Sequence, residues 1–158
     1  KNIECFMKNI VFILLIVVIV TLSGCYRYSP PLLQSKTKDI FAKKFVVPDI
    51  KTGLIYIYID KDASFIIPIM VNGGEVGVLD SLTYLSIKAP VGNYTISANC
   101  ACIPTGVEVD GGDLHFVKLT SGWSESDFSK ISTEIGSAEI KKRKLAKFFP
   151  RISNNQLD

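Results

Sequence analysis

The sequence predicts a mainly β protein, an antiparallel β-sandwich of about 7–8 strands with a C-terminal helix, preceded by a signal helix and a linker. Three observations predict it. From Gly53 to Thr120, short β-rich segments recur with turn residues between them, at the interval of about 8–12 residues expected of a sandwich or barrel. The segment "GLIYIYI" at 53–59 alternates with period two. The longest apolar run, Ile10 to Leu22, lies apart from this region and ends at Leu22-Ser23-Gly24-Cys25.

Taken in order, the first element is that apolar run. Its thirteen residues are too few for a transmembrane helix, which needs about 20. A charged start, a short apolar core and small residues at the cut describe an export signal. Met7-Lys8 supplies the start, so Met7 is read as the natural first residue and 1–24 as a signal peptide. Residues 25–50, with Pro30-Pro31 and scattered Lys and Asp, read as a stiff tether. Within it, Phe41 to Val47 is expected to dock on the domain or to form a short first strand.

The domain is placed at 51–149. In "GLIYIYI" Leu54, Tyr56 and Tyr58 share one face and Ile55, Ile57 and Ile59 the other, as in a central strand covered on both sides. "SFIIPIMV" contains Pro68, which cannot donate to a ladder, so this strand is expected at an edge or with a bulge. Asn72-Gly73-Gly74 signals a hairpin. "EVGVLD" and "LTYLSIKA" follow, Pro90 to Asn93 turns the chain, and "YTISAN" places Tyr94, Ile96 and Ala98 inward. "TGVEVD" and "LHFVKLT" flank Asp110-Gly111-Gly112-Asp113, read as a second hairpin turn. "DFSKISTEI" reads as a last, weaker strand. The closing helix is expected to begin at an N-cap Ser137, with Glu139 in its first turn and Lys141 to Lys147 toward its end, and to stop at Pro150. Residues 150–158 read as a flexible tail.

Composition narrows function only a little. The net charge of +3, from 18 Lys+Arg and 15 Asp+Glu, provides no concentrated basic face for nucleic acid. The one basic cluster, Lys141 to Lys144, stands at a helix end where cations complement the dipole. Four cysteines, at 5, 25, 100 and 102, do not make a disulfide scaffold in a chain this long.

Two stretches resemble known families. Leu22-Ser23-Gly24-Cys25 resembles the bacterial lipobox, which implies a diacylglycerol thioether on Cys25, cleavage before it and a covalently attached lipid in place of a cofactor. Tyr26 after the cysteine, rather than Asp, implies sorting to the outer membrane, with a periplasmic or surface-facing domain. "GLIYIYID…PIMVNGGEVGVLDSLTYLSIKAPVGNYTISA" resembles a bacterial lipoprotein family built on a domain of unknown function, and its second half is similar to PEGA-type surface β domains. The resemblance spans Gly53 to Leu145 and implies a small β-sandwich in the cell envelope, with no activity attached. The Arg usual after the Tyr-x-Tyr strand is absent; Asp60 and Lys61 stand there.

Candidate chemistry is sparse. Cys100 and Cys102 would point the same way in a strand, as a metal or redox pair or simply as two small thiols. His115 is the single histidine and alternates with Val117 and Leu119. Asp60, Asp62, Asp110 and Asp113 each stand at a turn, where Asp serves the backbone. Trp123 with Tyr56, Tyr58, Tyr84 and Tyr94 would make a glycan platform if exposed, but aromatics in a sandwich are more often core. The expectation is a lipid-anchored, non-catalytic envelope protein, held to membrane lipid through Cys25, whose sandwich binds or scaffolds an envelope protein or glycan through loops or a sheet edge, the Pro68 strand being the candidate edge. The alternatives are an envelope enzyme or metal protein using Cys100, Cys102 and His115, and a glycan-binding module.

Overall fold

The computed structural model describes residues 28–46, 49–99, 102–121 and 126–149. The signal segment, the lipobox with Cys25, Cys100, Trp123 and the tail 150–158 lie outside them.

Two sheets face each other. In the larger, β1 (Thr52–Ile59) lies between β4 (Thr83–Pro90), antiparallel to it, and β8 (Leu114–Ser121), parallel to it. Beyond β8 come β9 (Ser126–Ile131) and β6 (Cys102–Ile103); beyond β4 comes β10 (Lys144–Leu145). The smaller sheet has the order β3 (Gly74–Leu79), β2 (Ile67–Val71), β5 (Gly92–Ala98) and β7 (Thr105–Val109). Helices α1 (Lys36–Ala42) and α2 (Thr133–Lys141) lie on the outer face of the larger sheet, so β1 is covered on both faces.

The alternation in β1 explains that burial. Ile55, Ile57 and Ile59 enter the core between the sheets with Leu85, Val117 and Leu119. Tyr56 and Tyr58 turn the other way and pack with Tyr84, Phe116 and Ile140. The rings of Tyr56 and Phe116 stack 5.1 Å apart, and Phe45 meets both edge-on. Aromatic pairs in such geometries add about 1 kcal/mol beyond their burial.

The sandwich and its helix are those the sequence predicts, with several corrections. Three pairings are parallel: β1 with β8, β6 with β9 and β4 with β10. The hairpin at Asn72-Gly73 forms as expected, with positive φ at both residues. Asp110 to Asp113, in contrast, carries the chain from β7 in one sheet to β8 in the other and is no hairpin. Gly111 is required there, because a Cβ would stand 1.6 Å from the Ile50 carbonyl oxygen. The Pro68 strand is not an edge: β2 has β3 on one side and β5 on the other. Pro68 is accommodated because the ladder to β5 starts only at Ile69, and a register shift follows between Ile69 and Met70.

The closing helix starts five residues earlier than Ser137 predicts. Ser132 is its N-cap, accepting from the Ile135 amide, and Glu134 is the first-turn acid. Gly136 lies within the helix; a Cβ there would lie 2.3 Å from Phe116 Cγ, so the glycine lets α2 sit directly on the ring. The helix ends at Lys141, and Lys144-Leu145 continue as β10 instead of a last turn.

The tether is corrected too. Leu33 bridges to Ala146, the Gln34 amide donates to the Leu145 carbonyl, and α1 follows. These residues belong to the folded domain and are not an extended stalk.

Candidate functional site

Helix α1 is attached to the sheet by polar groups, with none of its residues buried. Ser35 caps it, accepting from the Lys38 amide. Asp39 then fixes its position: Oδ1 accepts from the Tyr84 hydroxyl at 2.9 Å and the Leu145 amide at 3.0 Å, and Oδ2 accepts from Lys43 Nζ at 2.8 Å. Lys43 Nζ also donates to the Arg143 carbonyl, and the Tyr56 hydroxyl donates to the Ala42 carbonyl at 2.7 Å. Past the helix, Phe45 adopts a φ of 53° and sets its ring edge-on against both Tyr56 and Phe116. Burial pushes the Tyr84 phenol well above its ordinary pKa, and the bond to Asp39 pushes it further. Tyr56 is also raised by burial. Both hydroxyls therefore remain protonated and donate.

Held this way, α1 leaves a groove of about 440 Å³ over the sheet. Leu54, Tyr56, Ser86 and Lys88 form its floor, and Thr37, Lys38, Phe41, Ala42 and Val46 its wall. Phe41 is 65% exposed and Val46 60%. The lining is mainly apolar, with Lys38 and Lys88 as its charges, and among the described residues no carboxylate pairs with either. That composition suits a ligand pocket, which typically combines apolar walls with a few placed polar groups. Beside the groove, β10 covers β4 only at Thr83 and Tyr84, leaving Leu85 to Pro90 without an outer neighbour among the described residues.

A second polar cluster joins α2 to the end of β1, leaving Arg143 Nε and the Tyr58 hydroxyl buried without a hydrogen bond among the described residues. Arg143, 5% exposed, donates from Nη1 to Glu139 Oε2 at 2.8 Å and from Nη2 to the Ile59 carbonyl at 3.1 Å. Lys142 reaches Glu139 Oε1 at 2.7 Å, and Lys118 reaches Asp60 Oδ2 at 3.1 Å. Hydrogen bonds from Lys142 and Arg143 hold Glu139 down to about 2. Burial alone would raise Asp60, but the hydrogen bonds from Lys118 and the Lys61 amide outweigh it and lower it. These charges fasten α2 and the end of β1.

Among the described residues, the sequence-predicted ones form no common site. Cys102 is disulfide-bonded, so its sulfur is no open thiolate ligand. His115 Nε2 stands 3.6 Å from Asp113 Oδ2, without a hydrogen bond. Among the described residues no three His, Cys, Asp or Glu side chains gather as a metal site. Tyr56, Tyr58 and Tyr84 are core rings and offer no glycan face, while Tyr94 donates to the Pro90 carbonyl. No helix among the described residues is long and apolar enough to cross a membrane. The groove itself was missed; its signal was Ser35 before an i,i+4 pair, Asp39 and Lys43, which together mark a short capped helix.

No family model, curated protein or solved structure matches the chain.

Proposed function

We propose that this is a lipid-anchored protein of the bacterial cell envelope, resembling lipoproteins with small β-sandwich domains, whose domain binds or scaffolds another envelope component without catalysis. The observation that carries the binding role is the groove between α1 and β4, apolar, open and lysine-rimmed, beside polar clusters that are otherwise spent on holding the fold. The apolar run ending in Leu22-Ser23-Gly24-Cys25 supports the anchor.

With the anchor at Cys25, the domain sits close to the lipid. Tyr28 lies three positions on, and its hydroxyl accepts from Asn99 Nδ2 at 2.9 Å. Three residues reach at most about 11 Å. The test is the intact mass of the protein from membrane fractions, wild type beside Cys25→Ala. A chain beginning at Cys25 with acyl mass, lost in the variant, is expected. An unmodified chain retaining residues 7–24 would overturn the anchor.

A further inference from the structure

We infer that the groove receives an extended peptide strand with an acidic residue, which adds to the open edge of β4. The inference rests on the binding role proposed above and names its ligand class.

The backbone geometry leads to it. The Tyr84 carbonyl accepts from the Ala146 amide, so at Tyr84 the polar groups of β4 point away from β1. Backbone direction alternates along a strand, so the N–H and C=O of Ser86 and Lys88 point the same way. The Leu54 amide, opposite Lys88, turns instead toward β8 and donates to the Asp113 carbonyl, as that alternation requires. Beyond Tyr84, β10 has ended, and no described strand takes up the groups of Ser86 and Lys88.

An unpaired edge beside a groove is the arrangement in which a peptide gains main-chain hydrogen bonds from the edge and side-chain specificity from the pocket. Alternate side chains of the added strand would lie over the sheet face, between Leu54, Tyr56 and Phe41. Lys38 and Lys88 set the sign of the partner's charge. They also disfavour a second copy of this chain pairing edge to edge, which would bring Lys88 toward Lys88. A lysine and Pro90 on an edge also serve to block pairing, and the experiment separates that role from peptide capture.

The probe is a set of synthetic Thr/Val-alternating nonapeptides with one Glu or one Lys at each position, titrated into the full chain in detergent. The Glu-bearing peptides are expected to bind. Lys88→Glu is expected to transfer the preference to Lys-bearing peptides. Ser86→Pro, which removes an edge donor and no backbone bond to β1 but also the side-chain bond to Tyr56, is expected to weaken binding at least tenfold, whereas Ser86→Ala, which loses only that side-chain bond, is expected to leave binding intact. Should Ser86→Pro fail to fold, N-methylation of alternate peptide amides against the wild-type chain gives the same readout. No binding of any member, binding indifferent to both Lys88→Glu and Ser86→Pro, or dimerisation of the chain abolished by Ser86→Pro would each overturn the inference. An acylated chain that binds no peptide removes the ligand class and leaves the anchor standing; an unacylated chain that binds does the reverse.

Discussion

The guanidinium carbon of Arg143 lies 4.7 Å from the centroid of the Tyr58 ring, beneath which β1 ends. The same guanidinium bonds the Ile59 carbonyl and the Glu139 carboxylate. Arg143→Ala strips all three contacts from a buried position and is expected to destabilise the domain by about 3 kcal/mol. Arg143→Lys is expected to recover less than half, because an ammonium cannot reproduce the planar fork. Urea unfolding followed by circular dichroism measures both.

Glu139 sets an acid limit. Its folded pKa is about 2 against an ordinary 4.5. A depressed carboxylate contributes stability fully above its unfolded pKa, and the contribution fades as pH falls toward the folded value. Stability is therefore expected to decline between about pH 5 and 2, and Glu139→Gln to flatten that part of the profile. Denaturant midpoints at stepped pH test it, and an unchanged slope in the variant would assign the acid loss elsewhere.

Gly136→Ala opposes two effects. Helix propensity favours alanine by about 1 kcal/mol. The new methyl would meet the fully packed Phe116 ring at 2.3 Å, and overpacking costs about 1–3 kcal/mol. Net destabilisation is expected, relieved in the double variant with Phe116→Leu, as thermal midpoints would register.

Asp39 is the fastening of α1. Asp39→Ala removes the acceptor of the Tyr84 hydroxyl, the Leu145 amide and Lys43 together. Amide exchange is expected to accelerate at least tenfold across residues 36–46 while β1 and β8 keep their protection. Equal acceleration in the sheet would mean that α1 and the sandwich open as one unit.

The cysteines tie the proposed anchor to the disulfide. Cys102 is bonded, and the chain's other cysteines are 5, 25 and 100. A thioether would occupy Cys25, and cleavage before it would remove Cys5. Non-reducing peptide mapping of the membrane-extracted protein is therefore expected to return Cys100 joined to Cys102. Cys25 joined to Cys102 would show that Cys25 carries no lipid.

What was legible in the sequence was what short-range pattern controls. The two faces of β1, the Asn72-Gly73 hairpin and the inward set of β5 follow from period two and from residues that tolerate positive φ. Three features were not legible because distant residues decide them. Pro68 looks like an edge or bulge residue; the strand proves internal, with a register shift just after it, and the β5 ladder that starts at Ile69 asks for no proton from its nitrogen. The helix looks as if it starts at Ser137 until Gly136 is found packed on Phe116, with Ser132 as the cap. Asp110 to Asp113 looks like a hairpin because both kinds of turn use Asp and Gly, and pattern does not reveal which sheet the next strand joins. Of the groove, Tyr56 and Lys88 were visible as strand residues. The helix above them was hidden in a stretch whose prolines and scattered charges suggested extension.

The parallel pairing of β1 with β8 has a consequence for how the chain is made. β1 leaves the ribosome before either of its neighbours, yet Leu54 must wait for Lys88 on one side and Leu114 on the other. Until then a run of isoleucines and tyrosines stands with two unsatisfied edges. Pairing across such separations is slow, and a nascent strand of this kind is prone to capture by its own copies. A chain stopped between Pro90 and Leu114 would hold this strand paired on one side only, so the last third of the sequence is what closes its second edge.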